Sequence, residues 1–170
     1  MLSPEQSAGL DPRILDKREA LLFVQELLSV HPPRDHGEEL ILLGNFADIT
    51  ESGALSREEY CALYAQCAQQ GDFADLALCY ADFDERRYVQ FLEDNPHLPE
   101  TGDDLHPGRS NIEGALGWIR GCREGITHLR GRGERTQLSK IGFPSARLLP
   151  EWVIAVRDSG MRLAEICDLM

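Results

Sequence analysis

The chain is 170 residues long, 42% hydrophobic and 27% charged, with a formal net charge of −12. That length suits a single domain able to bury a core without disulfide staples, and that composition excludes a disordered polymer. The negative balance argues against general affinity for nucleic acid or anionic membrane, since both repel it.

Residues 1–13 hold no basic stretch leading into an apolar one, so no secretory leader is read there. Asp11-Pro12 is a helix start, a capping carboxylate followed by proline at the first helical position. Ile14, Leu21, Val24 and Leu28 then recur at helical spacing until His31-Pro32-Pro33 breaks the run. The longest apolar stretch, Ala20 to Val24, is too short to span a bilayer, so no membrane contact is expected. A second helix is predicted over Glu38 to Ala47. A third opens on the capping box of Ser56 and Glu59 and runs through Tyr60, Tyr64 and Cys67 to Gln70-Gly71. Asp72 caps a fourth through Phe73, Leu76 and Tyr80, and Asp84 opens a fifth that ends near Glu93.

Residues 94–110 concentrate Pro, Gly, Asp and Asn and read as a loop. Asn111 is read as the cap of a helix over Ile112 to Leu129. Gly114, Gly117, Gly121 and Gly125 weaken that helix and share a face that admits close approach of another helix. From Pro150, two short helices follow, carrying Trp152, Val153 and Val156, then Leu163 and Ile166 beyond a Ser159-Gly160 turn. Residues 137–149 are ambiguous and admit a minor β element. The fold class is mainly α, a compact helical bundle of about six to eight short helices. It is read as one domain over 1–170, open to subdivision into an acidic part (1–93) and an arginine-rich part (111–170) around the 94–110 loop.

The segment Asp48-Ile49-Thr50-Glu51-Ser52-Gly53-Ala54-Leu55-Ser56-Arg57-Glu58-Glu59 resembles an EF-hand calcium loop. Asp48 stands at its first position, the turn glycine Gly53 at its sixth and Glu59 at its twelfth. The resemblance implies calcium held by Asp48, Thr50, Ser52 and Glu59. Ser56 and Glu59 equally form a plain capping box, and on that reading no cofactor is expected. Residues 62–80, with a Gly71-Asp72 turn, look like one tetratricopeptide unit, but no second copy follows. The closing WVIAVRDSGMRLAEICDLM resembles the helical stretch that follows the DNA-reading part of MerR-type regulators, which implies a transcriptional regulator using the C-terminal half.

No phosphate loop, nucleophile elbow or zinc spacing is present, so an enzyme is not expected. His97, His106, Asp103 and Asp104 share one loop without a fixed ligand spacing. The five cysteines form no paired framework and read as buried thiols of a reducing compartment, which points to the cytoplasm.

Charge is divided along the chain. Residues 1–108 carry 22 acidic and 7 basic side chains, a net of −15, whereas 109–170 carry 7 and 10, a net of +3. The cationic stretch comprises Arg120, Arg123, Arg130, Arg132, Arg135, Lys140 and Arg147. Either it contacts nucleic acid or it pairs internally with the acidic body, and the second reading is preferred. The leading functional expectation is an acidic interaction protein that binds a basic protein partner as an inhibitor, immunity protein or adaptor, the mode used in bacterial defence. Its face would comprise Glu38, Glu39, Asp72, Asp75, Asp82, Asp84 and Glu85, with Phe73, Phe83 and Tyr88 as aromatic anchors.

Overall fold

The computed structural model describes residues 9–103, 106–137 and 150–170. Eight helices and no strands occur among them: α1 (Pro12–Leu15), α2 (Arg18–Leu28), α3 (His36–Glu51), α4 (Arg57–Gln70), α5 (Ala74–Asp94), α6 (Arg109–Gly131), α7 (Glu151–Ser159) and α8 (Leu163–Asp168). The mainly α expectation holds. The stretch expected to admit a β element lies, apart from Gln137, outside the described residues. No helix among those described is long and apolar enough to cross a membrane.

The chain divides into two compact units, one formed by Met1–Ala68 with Phe143–Met170 and the other by Gln69–Gly142. The 94–110 loop, where composition and charge change along the sequence, therefore lies inside the second unit.

In the first unit α3 is the central element. Every residue from Leu42 to Ile49 is buried, as expected of a helix that is apolar around most of its circumference. Against it and its neighbours, α7 packs on α1 and α3, and α8 packs on α2. Phe46 stacks on Phe23 at 5.7 Å between ring centroids and meets the edge of Tyr60 at 5.4 Å. The Tyr64 hydroxyl donates to the His31 carbonyl at 2.7 Å, fixing the corner that precedes Pro32-Pro33.

The second helix is longer than Glu38 to Ala47. Asp35 caps it, accepting from Glu38 N at 2.8 Å, and it continues to Glu51. Ile49 is only 1% exposed, so the buried face extends beyond Ala47. Thr50 stays helical by donating its hydroxyl to the Phe46 carbonyl at 2.7 Å.

The second unit is built on α5 packed against α6. The fourth and fifth predicted helices are one continuous element, with Asp84 in its interior instead of at a cap. The loop that follows is tightly folded. Arg109 N donates to the Pro99 carbonyl at 2.7 Å, and Asp103 N to that of His106 at 2.9 Å. A Cβ on Gly102 would fall 2.1 Å from the His106 carbonyl oxygen, so glycine is required there. Asn111 does not cap α6 from outside; it lies within the first turn, and its side chain accepts from Gly108 N at 2.9 Å. Asp72 serves both ends of this unit, accepting from Ala74 N at 3.1 Å and Thr136 N at 3.0 Å.

Candidate functional site

The seven carboxylates and three aromatics expected to form an acidic docking face are engaged within the protein. Glu38 is buried and paired with Arg34 Nε at 3.1 Å. Glu39 is buried, accepting from Leu163 N at 2.6 Å and from Arg162 Nε at 3.1 Å. Asp72 is the double cap just described. Asp84 is buried against Arg87 at 2.5 Å; desolvation raises its pKa, and the Arg87 contact offsets this only in part. Phe73 and Tyr88 are core residues, 3% and 6% exposed. Phe83 is half-buried beneath the Arg87 guanidinium, which stands 5.1 Å from its ring centre.

The remaining three carboxylates meet the arginine cluster. Arg130 binds Asp75 at 2.5 Å, Arg123 binds Asp82 at 2.8 Å and also Glu85, and Arg120 binds Glu85 at 2.8 Å. Steps of seven and then three residues along α5 are matched by the same steps backwards along α6. The result is an antiparallel ladder of ion pairs on one seam. Arg120, and after it Arg123, hold the Glu85 carboxyl below the usual range. The expected outward anionic patch is thus corrected at this seam, because internal arginines neutralise its members. Of the other cluster members, Arg132 pairs with Glu134 at 3.4 Å, and Lys140 and Arg147 lie outside the described residues.

The segment resembling a calcium loop takes a different local form. Asp48 and Thr50 lie inside α3, with Asp48 buried. The Ser52 hydroxyl donates to the Ile49 carbonyl at 3.1 Å, and Gly53 makes the turn at φ 81°. Ser56 and Glu59 complete the reciprocal capping box at 3.0 and 3.1 Å. A calcium loop must curl its first positions around the ion, whereas here the first four are helical. His106 stands 3.6 Å from Asp103 at the surface, and Asp104 is outside the described residues. Among the described residues no group of three or more His, Cys, Asp or Glu gathers in a way that could hold a metal. Burial pushes the Cys167 thiol up to about 11 and raises that of Cys79, so both stay protonated at neutral pH.

Two features escaped the sequence. Beside Glu39 and Arg162, in the first unit, a half-open cavity of about 420 Å³ is floored by Leu28, Pro32 and Pro33. Glu39 spends both oxygens on α8, so the polar wall of this cavity is itself a structural junction. The second feature is Trp118, 73% exposed, in the middle of α6. Gly114, Gly117, Gly121 and Gly125 surround it on the same outward face, each exposed, and a Cβ on any of them would meet nothing within 4 Å. The four glycines share one face in the sequence, a pattern that predicts close packing; among the described residues nothing packs against that face. No protein-family model matches this chain, nor does any curated protein or solved structure.

Proposed function

We propose that this chain is a non-catalytic interaction protein that binds a basic protein partner and regulates or inhibits it. The observation that carries this reading is the fate of the arginines. Among the described residues Arg120, Arg123 and Arg130 pair with carboxylates of α5, and the chain keeps a formal net charge of −12. Such a surplus accelerates encounter with cationic surfaces and repels polyanions. The five cysteines are all free thiols, which supports action in the cytoplasm.

Crosslinking in the cells that make the protein, followed by mass spectrometry, identifies the partner. The association rate of the purified pair is then measured at rising ionic strength. A basic partner whose association slows steeply with salt is the expected result. A neutral or acidic partner, or a salt-independent rate, overturns the proposal.

A further inference from the structure

We infer that the half-open cavity of the first unit binds a free aliphatic α-amino acid of leucine size, held as its zwitterion between Arg162 and Glu165. The site stands on its own observations and does not depend on the interaction role proposed above.

A buried carboxylate decides how charge is arranged here. Glu39 is 5% exposed, and its two oxygens accept from Leu163 N and from Arg162 Nε. The Arg162 guanidinium is thereby fixed through Nε alone. Its two terminal amino groups make no hydrogen bond among the described residues, and the side chain stays 43% exposed. The planar fork of arginine leaves that edge available to a carboxylate. Glu165 engages the other end of the same residue. One of its oxygens accepts from Arg162 N at 3.0 Å, and it has no cationic partner among the described residues. Glu39 therefore holds apart two opposite charges that would otherwise neutralise each other, a carboxylate at the base of the Arg162 side chain and a guanidinium at its tip.

The charged side chains on the cavity wall are Glu39, Arg162 and Glu165. Arg34, paired with Glu38, and His36, 3.7 Å from Glu39, do not line it. Because Glu39 is buried and fully bonded, a ligand meets the outer edge of Arg162 and the Glu165 carboxylate. A lone anion would be repelled by Glu165 and a lone cation by Arg162, so only a ligand carrying both signs finds a partner for each. The amides of Arg162 and Leu163 are already bonded to Glu165 and Glu39, so recognition falls to the side chains. Gln25, whose amide has no partner among the described residues, adds a donor and an acceptor to the wall. Leu28, Pro32 and Pro33 form the apolar floor that takes an aliphatic side chain, and the fixed φ of the two prolines stiffens it before anything binds. The volume of about 420 Å³ falls within the span of small-molecule sites, about 300–1,000 Å³.

The test follows the signals of Ala164 and of the Gln25 side-chain amide in two-dimensional NMR spectra of the isotope-labelled full chain, titrated with L-leucine. Saturable shifts at both positions are expected. Isocaproate keeps the carboxylate and the side chain, leucinamide keeps the ammonium and the side chain, and glycine keeps both charges without the side chain. Each is expected to bind at least about tenfold more weakly than leucine. Glu165→Gln removes the charge but still offers an acceptor to Arg162 N, and Ala164→Leu fills the cavity while leaving both charges in place. Both positions are exposed, so the two variants fold as the parent does, which the same spectra report. Each is expected to weaken leucine binding at least about tenfold.

The absence of saturable shifts at tens of millimolar leucine overturns the inference. Leucine binding that is unchanged in Glu165→Gln or in Ala164→Leu overturns it too. So does isocaproate or leucinamide binding as tightly as leucine, since one charge then suffices.

Discussion

A carboxylate is tolerated in an interior only where both its oxygens are used, and Glu39 meets that condition by stapling α8 to α3. One oxygen accepts from Leu163 N and the other from Arg162 Nε. Glu39→Ala therefore orphans the first turn of α8 and leaves Arg162 without its partner. Because Arg162 is 43% exposed and resolvates, the expected loss lies at the low end for a broken buried pair, about 3 kcal/mol by urea unfolding. Glu39→Gln keeps one acceptor and should lose about half as much. Equal stability of the alanine variant and the parent would refute this account of the junction. Asp84 is the opposite case. Its folded pKa is raised, so the folded state binds a proton more readily than the unfolded chain does. Its contribution to stability is therefore lost as pH rises from the ordinary aspartate value of 3.8 through the raised one. Asp84→Asn is expected to be more stable than the parent at neutral pH, with the gain vanishing below that window. A gain that persists in acid would mean that packing, and not charge, decides this position.

At the level of elements, one substitution takes opposite signs depending on backbone geometry. In α6, Gly114, Gly117, Gly121 and Gly125 occupy ordinary helical positions in open space, so replacing each with alanine should add about 0.8 kcal/mol, and all four together about 3 kcal/mol. Gly160 ends α7 at φ 68°, where a Cβ is strained, and Gly160→Ala should cost about 1 kcal/mol. Denaturant midpoints of the five variants separate the two classes, and a quadruple variant no more stable than the parent would show that α6 is not limited by propensity. The same contrast explains what could be read in advance. Helix starts with a capping side chain were readable: Asp11, Ser56 and Asp72 all bond to nearby backbone amides, Ser56 reciprocally with Glu59. Helix ends were harder to see. Asp48, Thr50 and Asp84 are polar letters that suggest a boundary, yet they sit inside helices because a carbonyl or a guanidinium satisfies them there or because they lie against the core. The glycine face was visible, but a one-dimensional pattern carries no information on whether anything fills it.

Across the whole molecule, the contrast between an acidic front and a basic tail dissolves on folding. The first unit carries 8 basic and 16 acidic residues, and the second 9 and 13, so both are anionic, at −8 and −4. The signal that could have revealed this was the mirrored spacing of Asp75, Asp82 and Glu85 against Arg120, Arg123 and Arg130. Charge counts along the chain average that spacing away. If the ladder holds α5 to α6, Arg123→Gln/Arg130→Gln should destabilise the protein at neutral pH, since Asp75 and Asp82 lose their partners and Glu85 keeps only Arg120. The depressed folded pKa of Glu85 sets the pH dependence. Stability from such a group is present above its ordinary value of 4.5 and is lost as pH falls through the lower folded value. Protonation thus removes from the parent what the substitutions have already removed from the variant. The gap between their thermal midpoints, followed by circular dichroism from neutral pH into acid, should narrow below 4.5 and close once Glu85 is protonated in the folded state. A gap that stays constant across that range would mean that the arginines act through the packing of their aliphatic stems, and the ladder would then be a consequence of the α5–α6 contact and not one of its causes.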